Sequence, residues 1–363
     1  MNISSLGWGE ALAETFQEHA DAGLRPGRVA IQHRGAYVLL TEEGEVWAGV
    51  RGRLRHDAGS TSELPAVGDW VAYDQPDGAE RATVHAVLPR RSAVTRKQAG
   101  FETTEQVVAA NVDVLFVVTS LNQDLNVRRI ERYMTLAWES GADPVVVLTK
   151  ADLCADVGTA VALVETVTFG VPVHVTSALT GEGIEGVRVH LEGGRTGAAV
   201  GSSGVGKSTL INHLCGEERL ATKEIREDGR GRHTTSHREL IVLPGTGCVI
   251  DTPGMRELQL WDSEEGLERA FEDVDELIAE CRFSDCAHDT EPGCAVRAAI
   301  AGGRLDAERF ESYQKLQREL RWLEIRHDAR ARSDERKRWR AINKEARASW
   351  RISSQRSSRW SFW

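Results

Sequence analysis

A short-stranded β-barrel, then a parallel α/β sheet, then a helical region: the sequence predicts this multidomain order, and three observations carry it. Between Arg28 and Pro89, brief strand-prone runs alternate with Gly, Pro and Asp. From about Ala109 to Leu260, continuous β-branched runs alternate with helical spacing. Beyond residue 263 the spacing is helical, interrupted by three cysteines and a histidine within fourteen residues.

The totals agree with this. A chain of 363 residues exceeds a usual single core and favours two or three units. Hydrophobic content of 41% and charged content of 28% are ordinary for a soluble globular protein. The opening MNISSLGWGEALAETFQEHADAG has no basic region followed by an apolar run, and no window reaches the ~18 uninterrupted apolar residues of a membrane span. A cytoplasmic protein is expected, and six cysteines are then unlike a disulfide framework. The net charge of −10 excludes a uniformly basic nucleic-acid binder. Residues Arg326 to Trp363, however, carry twelve Lys/Arg against four Asp/Glu. A basic tail on an acidic body implies a polyanion met at one end.

Residues 1–27 read as a helical or loosely ordered lead-in. RVAIQHRGAYVLL, GEVWAGVRGRL, VGDWVAY and ATVHAVLP hold four to eight strand-prone residues each, so residues 28–98 are expected to form a small barrel. The pattern fits an OB-fold and an SH3-like barrel alike. Arg34, Tyr37, Trp47, Arg51, Arg53 and Trp70 interleave basic and aromatic side chains there, as on a nucleic-acid-binding face. The same aromatics also serve to fill a barrel core. In residues 105–262, VDVLFVVTS (Val112 to Ser120) and PVVVLTK (Pro144 to Lys150) read as strands buried on both faces. NVRRIERYMTLAWESG between them has helical spacing ending at Gly141. Strand–helix alternation predicts a doubly wound parallel sheet.

GSSGVGKST, running Gly201, Ser202, Ser203, Gly204, Val205, Gly206, Lys207, Ser208 and Thr209, fits the phosphate-binding pattern G-x-x-x-x-G-K-S/T. GAAV before it reads as a strand and KSTLINHLC after it as a helix, as that loop requires. Its backbone N–H groups and the helix N-terminus then face the phosphates, Lys207 bridges the outer two, and Ser208 holds Mg²⁺. IDTPG supplies D-x-x-G at Asp251 to Gly254. Asp251 would reach Mg²⁺ through water, and the Gly254 N–H would sense the γ-phosphate. GRGRHTTSH between the two suits a switch loop, with Thr235, or failing it Thr234, as the second Mg²⁺ ligand. The base-reading motif N/T-K-x-D occurs upstream rather than downstream, as TKAD with Thr149, Lys150 and Asp152. A carboxylate at the end of that strand accepts from both N1–H and N2–H of guanine, a donor pair that adenine lacks. Ser177 and Ala178, in TSALTGEG, match the second guanine-contacting turn. All five motifs of a GTP hydrolase are thus present in the order four, five, one, two, three. The expected domain is circularly permuted; an ATPase or kinase is disfavoured by TKAD and TSAL.

CRFSDCAHDTEPGC places Cys281, Cys286, His288 and Cys294 together. Three thiolates and an imidazole form a complete tetrahedral set for Zn²⁺ with no open position for a catalytic water, so a structural site is expected.

ELPAVGDWV, AANVDVLFVV, SALTGEG, GSSGVGKST, GRHTT, IDTPGMRE and CRFSDCAHDTEPGCAV, in this order, resemble the ribosome-small-subunit-dependent GTPase A (RsgA/YjeQ) family, from about Arg28 to Arg347. The resemblance implies an N-terminal OB-fold, a central permuted P-loop GTPase and a zinc-binding helical domain at 263–350. Residues 351–363 are left as a basic, unstructured tail. It further implies a GTPase acting late in assembly of the small (30S) ribosomal subunit, binding 16S rRNA and stimulated by that subunit. A monomer is expected. A target other than the small subunit is the competing reading, as is an rRNA-binding checkpoint timed by GTP. The residue after D-x-x-G is Met255, which cannot orient water, and the resemblance points to His233 instead. Thr149 stands where many GTPases have Asn. A lost tie to the phosphate loop would cost roughly 0.5–1.5 kcal/mol, about two- to tenfold in affinity. The spacing of DERKRWRAINKEARASWR suggests a helix along rRNA phosphates, held by salt-sensitive contacts.

His233→Ala is expected to leave GTP affinity nearly intact and to lower subunit-stimulated turnover sharply. Equal turnover in variant and parent would remove His233 from the mechanism.

Overall fold

The computed structural model describes residues 2–33, 35–97, 105–122, 125–217, 220, 238–251 and 264–321. The lead-in is helical: a 3₁₀ turn at Ile3–Leu6, capped by Asn2, precedes α1 (Glu10–Asp21), which buries Leu12 and Phe16. Five strands then close a barrel: β1 (Arg25–Gln32), β2 (Tyr37–Thr41), β3 (Gly44–Val50), β4 (Trp70–Asp74) and β5 (Ala82–Val87). Their order is β1-β2-β3-β5-β4, with β4 returning to β1 and the β3–β5 pair parallel. The barrel begins at Arg25, three residues before the expected boundary. The GRL expected to extend its third strand instead opens the short helix α2 (Gly52–Asp57). The interleaved aromatics divide. Tyr37 and Trp70 are buried, whereas Trp47 is 48% exposed and stacks on His33 at 5.3 Å. Arg51 and Arg53 are exposed, and Arg34 lies outside the described residues.

A ribbon of β6 (Ala93–Lys97) and β7 (Glu105–Ala110) leads into the α/β sheet. That sheet comprises β8 (Val114–Ser120), α3 (Val127–Ser140), β9 (Asp143–Thr149), α4 (Val157–Glu165), β10 (Val173–Val175), α5 (Ile184–Arg188), β11 (Thr196–Val200), α6 (Lys207–Cys215), β12 (Glu239–Val242) and β13 (Cys248–Asp251). The α3 signals are local: Asn126 accepts from the Arg129 N–H at its start, and Gly141, at φ 79°, turns the chain at its end. β10, β9, β8, β11 and β13 are mutually parallel, with β12 antiparallel at the edge.

Barrel and α/β region are one body. β12 also pairs with β1 at Ile31–Glu239, giving a single eleven-stranded sheet. Arg28 fastens the join: buried beneath Trp70, it donates to Leu6 O of the lead-in, Gly68 O of the barrel and Asn111 O ahead of β8. Gly68 is required there: at φ 93°, a Cβ would lie 2.1 Å from Ala110 O.

The C-terminal helices are α7 (Glu264–Ala270), α8 (Glu272–Ala279), α9 (Ala295–Ala301) and a helical run at residues 307–321. They enclose Phe271, Val274, Val296, Phe310 and Tyr313. α7 crosses α3 closely, since a Cβ on Gly266 would come within 2.6 Å of Thr135 O. The joint is ionic at its centre. Arg309, 3% exposed, donates to Glu131 Oε1 at 2.8 Å and grips Asp273 with two nitrogens. Arg132 forms a two-bonded pair with Glu319. Glu131 is fully buried and its Oε1 also accepts from Arg128 Nη1 at 2.9 Å, so two guanidinium groups share this carboxylate. The outer Arg128–Asp306 pair, with an exposed carboxylate, contributes only ~0–1 kcal/mol.

Candidate nucleotide site and cysteine cluster

Because five adjacent strands are parallel, their carboxyl ends share one edge of the sheet, the edge where open α/β folds bind ligands. The motifs displaced in sequence meet there. β11 ends at Val200 before the glycine-rich loop, β9 at Thr149, β10 at Val175 before Ser177, and β13 at Asp251. The register places Ala198 beside Ile250 and Val200 beside Val117, so Asp251 lies one strand from the loop.

The loop between β11 and α6 has the conformation its glycines permit. Gly201 has φ 147°, and a Cβ there would lie 2.1 Å from Val118 O. Gly204 and Gly206 are left-handed, at φ 76° and 100°. Lys207 opens α6, with Ser208 and Thr209 in its first turn. The Lys207 ammonium donates to Gly201 O at 2.8 Å and Ser202 O at 2.6 Å, so it curls over the loop. Ser203 and Gly204 are exposed, while Val205 anchors the loop in the core.

The TKAD segment at the end of β9 is bound to this loop. Thr149 Oγ1 donates to Val205 O, and Lys150 Nζ donates to Gly204 O at 2.7 Å. The Thr149 hydroxyl thus does reach the phosphate loop, a tie that the sequence reading counted as lost. Lys150 adopts φ 59°, a left-handed conformation unusual for a side-chain-bearing residue, which turns Asp152 outward at the strand end. Asp152 is exposed, and Ser177 Oγ donates to its Oδ1 at 2.6 Å. Ser177 is itself fixed by backbone bonds to Glu182 O and from Gly181 N, with Ala178 half-buried beside it. The second motif thus fixes the orientation of the Asp152 carboxylate through Ser177. His233, Thr234, Thr235, Gly254 and Met255 lie outside the described residues.

Sequence reading missed Arg129. It lies in the first turn of α3, and its Nη1 donates to Ser202 Oγ in the loop. No motif marks it; the only signal is a pair of arginines opening a helix that follows a buried strand.

The ligand atoms of Cys281, Cys286, His288 and Cys294 all lie within 4.8 Å of one another. Cys281 and Cys294 sulfurs are 3.9 Å apart, and each is 3.5–3.6 Å from His288 Nδ1. Sulfurs on a tetrahedral zinc ion, at ~2.3 Å each, would be separated by about 3.8 Å, so the donor set and its spacing fit. Burial pushes the Cys281 thiol up, but the backbone N–H groups of Val296 and Ala295 at the start of α9 outweigh this and hold it below its ordinary value. Cys294 caps that helix. His288 has φ 62°, a strained conformation for histidine that the loop holds.

Asp152→Asn is expected to weaken GTP binding by tenfold or more while sparing any weak binding of ATP, because an amide cannot accept from two donors with the same oxygen pair. An unchanged GTP-to-ATP preference in competition titrations would count against the assignment.

Comparison with known proteins agrees with this geometry. Residues 87–261 match the family model described as RsgA GTPase. A protein of Opitutus terrae named small ribosomal subunit biogenesis GTPase RsgA is 49% identical over 97% of this chain and 99% of its own. A Streptomyces coelicolor protein of the same name is 46% identical over 95% and 94%. Among solved structures, YjeQ from Thermotoga maritima superposes with a TM-score of 0.62 at 30% identity, covering 82% of this chain and 98% of that one. YloQ, described as a circularly permuted GTPase, superposes with a TM-score of 0.59 at 24% identity over 82% and 95%, a likeness of fold. Nearly half identical to a relative along almost the whole of both chains, and carrying the permuted site in place, the chain belongs to the RsgA GTPase family.

Proposed function

We propose that this protein is a GTPase that binds the small ribosomal subunit and hydrolyses GTP late in that subunit's maturation, with hydrolysis coupled to release. The observation that carries the reading is the meeting of Lys207 and Asp152 at one sheet edge, tied together through Thr149 and Lys150, in a chain whose relatives bear that name. Asp152, with Ser177 and Ala178, reads guanine. The loop from Gly201 to Thr209 holds the phosphates by backbone N–H groups, and Lys207 uncurls from the loop carbonyls to meet them. Ser208 and Thr235 would hold Mg²⁺ directly and Asp251 through water, with Gly254 at the γ-phosphate. When bound, Mg²⁺ supplies charge neutralisation on the phosphate oxygens. His233 orients the water that attacks the γ-phosphorus; as the new P–O bond forms, the bond from the γ-phosphorus to the β,γ-bridging oxygen breaks, GDP leaves with that oxygen, and the water's proton passes to the released phosphate.

Cys281, Cys286, His288 and Cys294 hold one structural Zn²⁺, which pins the loop between α8 and α9. The barrel is an OB-fold, with strand order and parallel β3–β5 pair as support, and together with the basic tail it contacts 16S rRNA. The domain limits become a barrel from about residue 25, a permuted GTPase region to about 262 and a helical zinc domain beyond. The protein acts in the cytoplasm as a monomer; no described helix is long and apolar enough to cross a membrane.

GTP hydrolysis by the purified chain is expected to be slow alone and strongly accelerated by purified small subunits, with large subunits inert. Acceleration by neither would return the partner to mere resemblance while leaving GTP binding to be judged separately. Purified protein is also expected to carry about one zinc per chain by elemental analysis. Chelation or Cys286→Ser is expected to lower the melting temperature of the C-terminal helices. Purified protein that carries no zinc, or whose melting is unchanged by chelator, would overturn the zinc assignment.

A further inference from the structure

We propose that Arg129 is a further cationic ligand for the terminal phosphate of the bound nucleotide, supplied from α3 within the same chain. The inference rests on the GTPase reading and adds a residue that discriminates triphosphate from diphosphate. Its basis is a convergence on Ser202. Arg129 Nη1 donates to Ser202 Oγ, while Lys207 Nζ donates to Ser202 O at 2.6 Å. A guanidinium and an ammonium therefore sit against one residue of the loop. A phosphate oxygen arriving at that residue would meet two positive groups at once.

Position along the loop says which phosphate that is. The base-reading segment meets the loop at Gly204 and Val205, through Lys150 and Thr149. Arg129 meets it at Ser202, away from those contacts and beside the lysine that pairs with the outer phosphates. The guanidinium is also preplaced. Asn126 fixes the first turn of α3, and in the next turn of the same helix Glu131 and Arg132 are locked to Arg309 and Glu319. A planar fork on a braced helix offers two parallel N–H donors to phosphate oxygens, which an ammonium cannot.

The test uses the full-length chain with Mg²⁺, titrated with fluorescent GDP and with a fluorescent, non-hydrolysable GTP analogue. Arg129→Ala is expected to weaken the triphosphate about tenfold or more, the scale of one charge-assisted bond, and to change GDP by no more than about twofold. Retained GDP binding reports that the variant is folded. Arg129→Lys, which keeps the charge without the fork, is expected to recover part of the loss. Ser202→Ala removes the hydroxyl but not the guanidinium, and is expected to shift both nucleotides alike, preserving their ratio. If Arg129→Ala weakens GDP and triphosphate equally, or changes neither, Arg129 only braces the loop and the proposal is wrong. A parent chain that binds neither guanine nucleotide would instead overturn the GTPase reading, and this inference with it.

Discussion

Everything at the nucleotide site depends on one constraint: β10, β9, β8, β11 and β13 run parallel, so their carboxyl ends emerge on one side. Parallel pairing cannot be made with tight turns and needs a helix to carry the chain back, so every loop at that edge follows a strand and precedes a crossover or a switch. The edge is indifferent to where the chain starts. Base-reading loops can come before the phosphate loop in sequence, provided the strands keep their neighbours. Permutation thus leaves the chemistry in place and moves only the points of entry and exit.

Those moved ends explain the rest of the architecture. The barrel enters beside β12 and extends the sheet through β1, while Arg28 ties lead-in, barrel and β8 approach by three carbonyls. A buried guanidinium has lost its water and depends on those carbonyls to replace it, so the three segments hold their mutual placement. At the other end the chain leaves β13 towards the C-terminal helices, which return to pack on α3. Glu131 and Arg309 sit at the centre of that joint in a buried network, Arg309 also holding Asp273 and Glu131 also holding Arg128, so several segments are fixed by shared ion pairs.

α3 consequently touches both functional regions. Its first turn reaches Ser202 through Arg129, and the next turn reaches the helices that carry the cysteine cluster through Glu131 and Arg132. Lys150, Lys207 and Arg129 all reach the glycine-rich loop at this edge, so three cationic side chains from three different elements converge on one backbone segment.

The residues at the strand ends were legible from sequence because each obeys a local rule. Gly201, Gly204 and Gly206 answer to backbone conformation, Lys207 and Asp152 to ligand chemistry, and Cys281 to Cys294 to donor count within a short loop. The alternation of buried strands with helical spacing was equally local, and so was the end of α3 at Gly141. What adjacency creates was not legible. Thr149 looked like a weakened tie until β9 and β11 were seen to be close enough for its hydroxyl to reach Val205 O. Trp47 and Trp70 are alike in sequence, yet the closing of the barrel buries one and exposes the other. Arg28, Glu131 and Arg129 carry no motif at all. Their roles arise from partners 22 to 178 residues away, because a charge acts on whatever the fold brings beside it, and sequence spacing does not encode that distance.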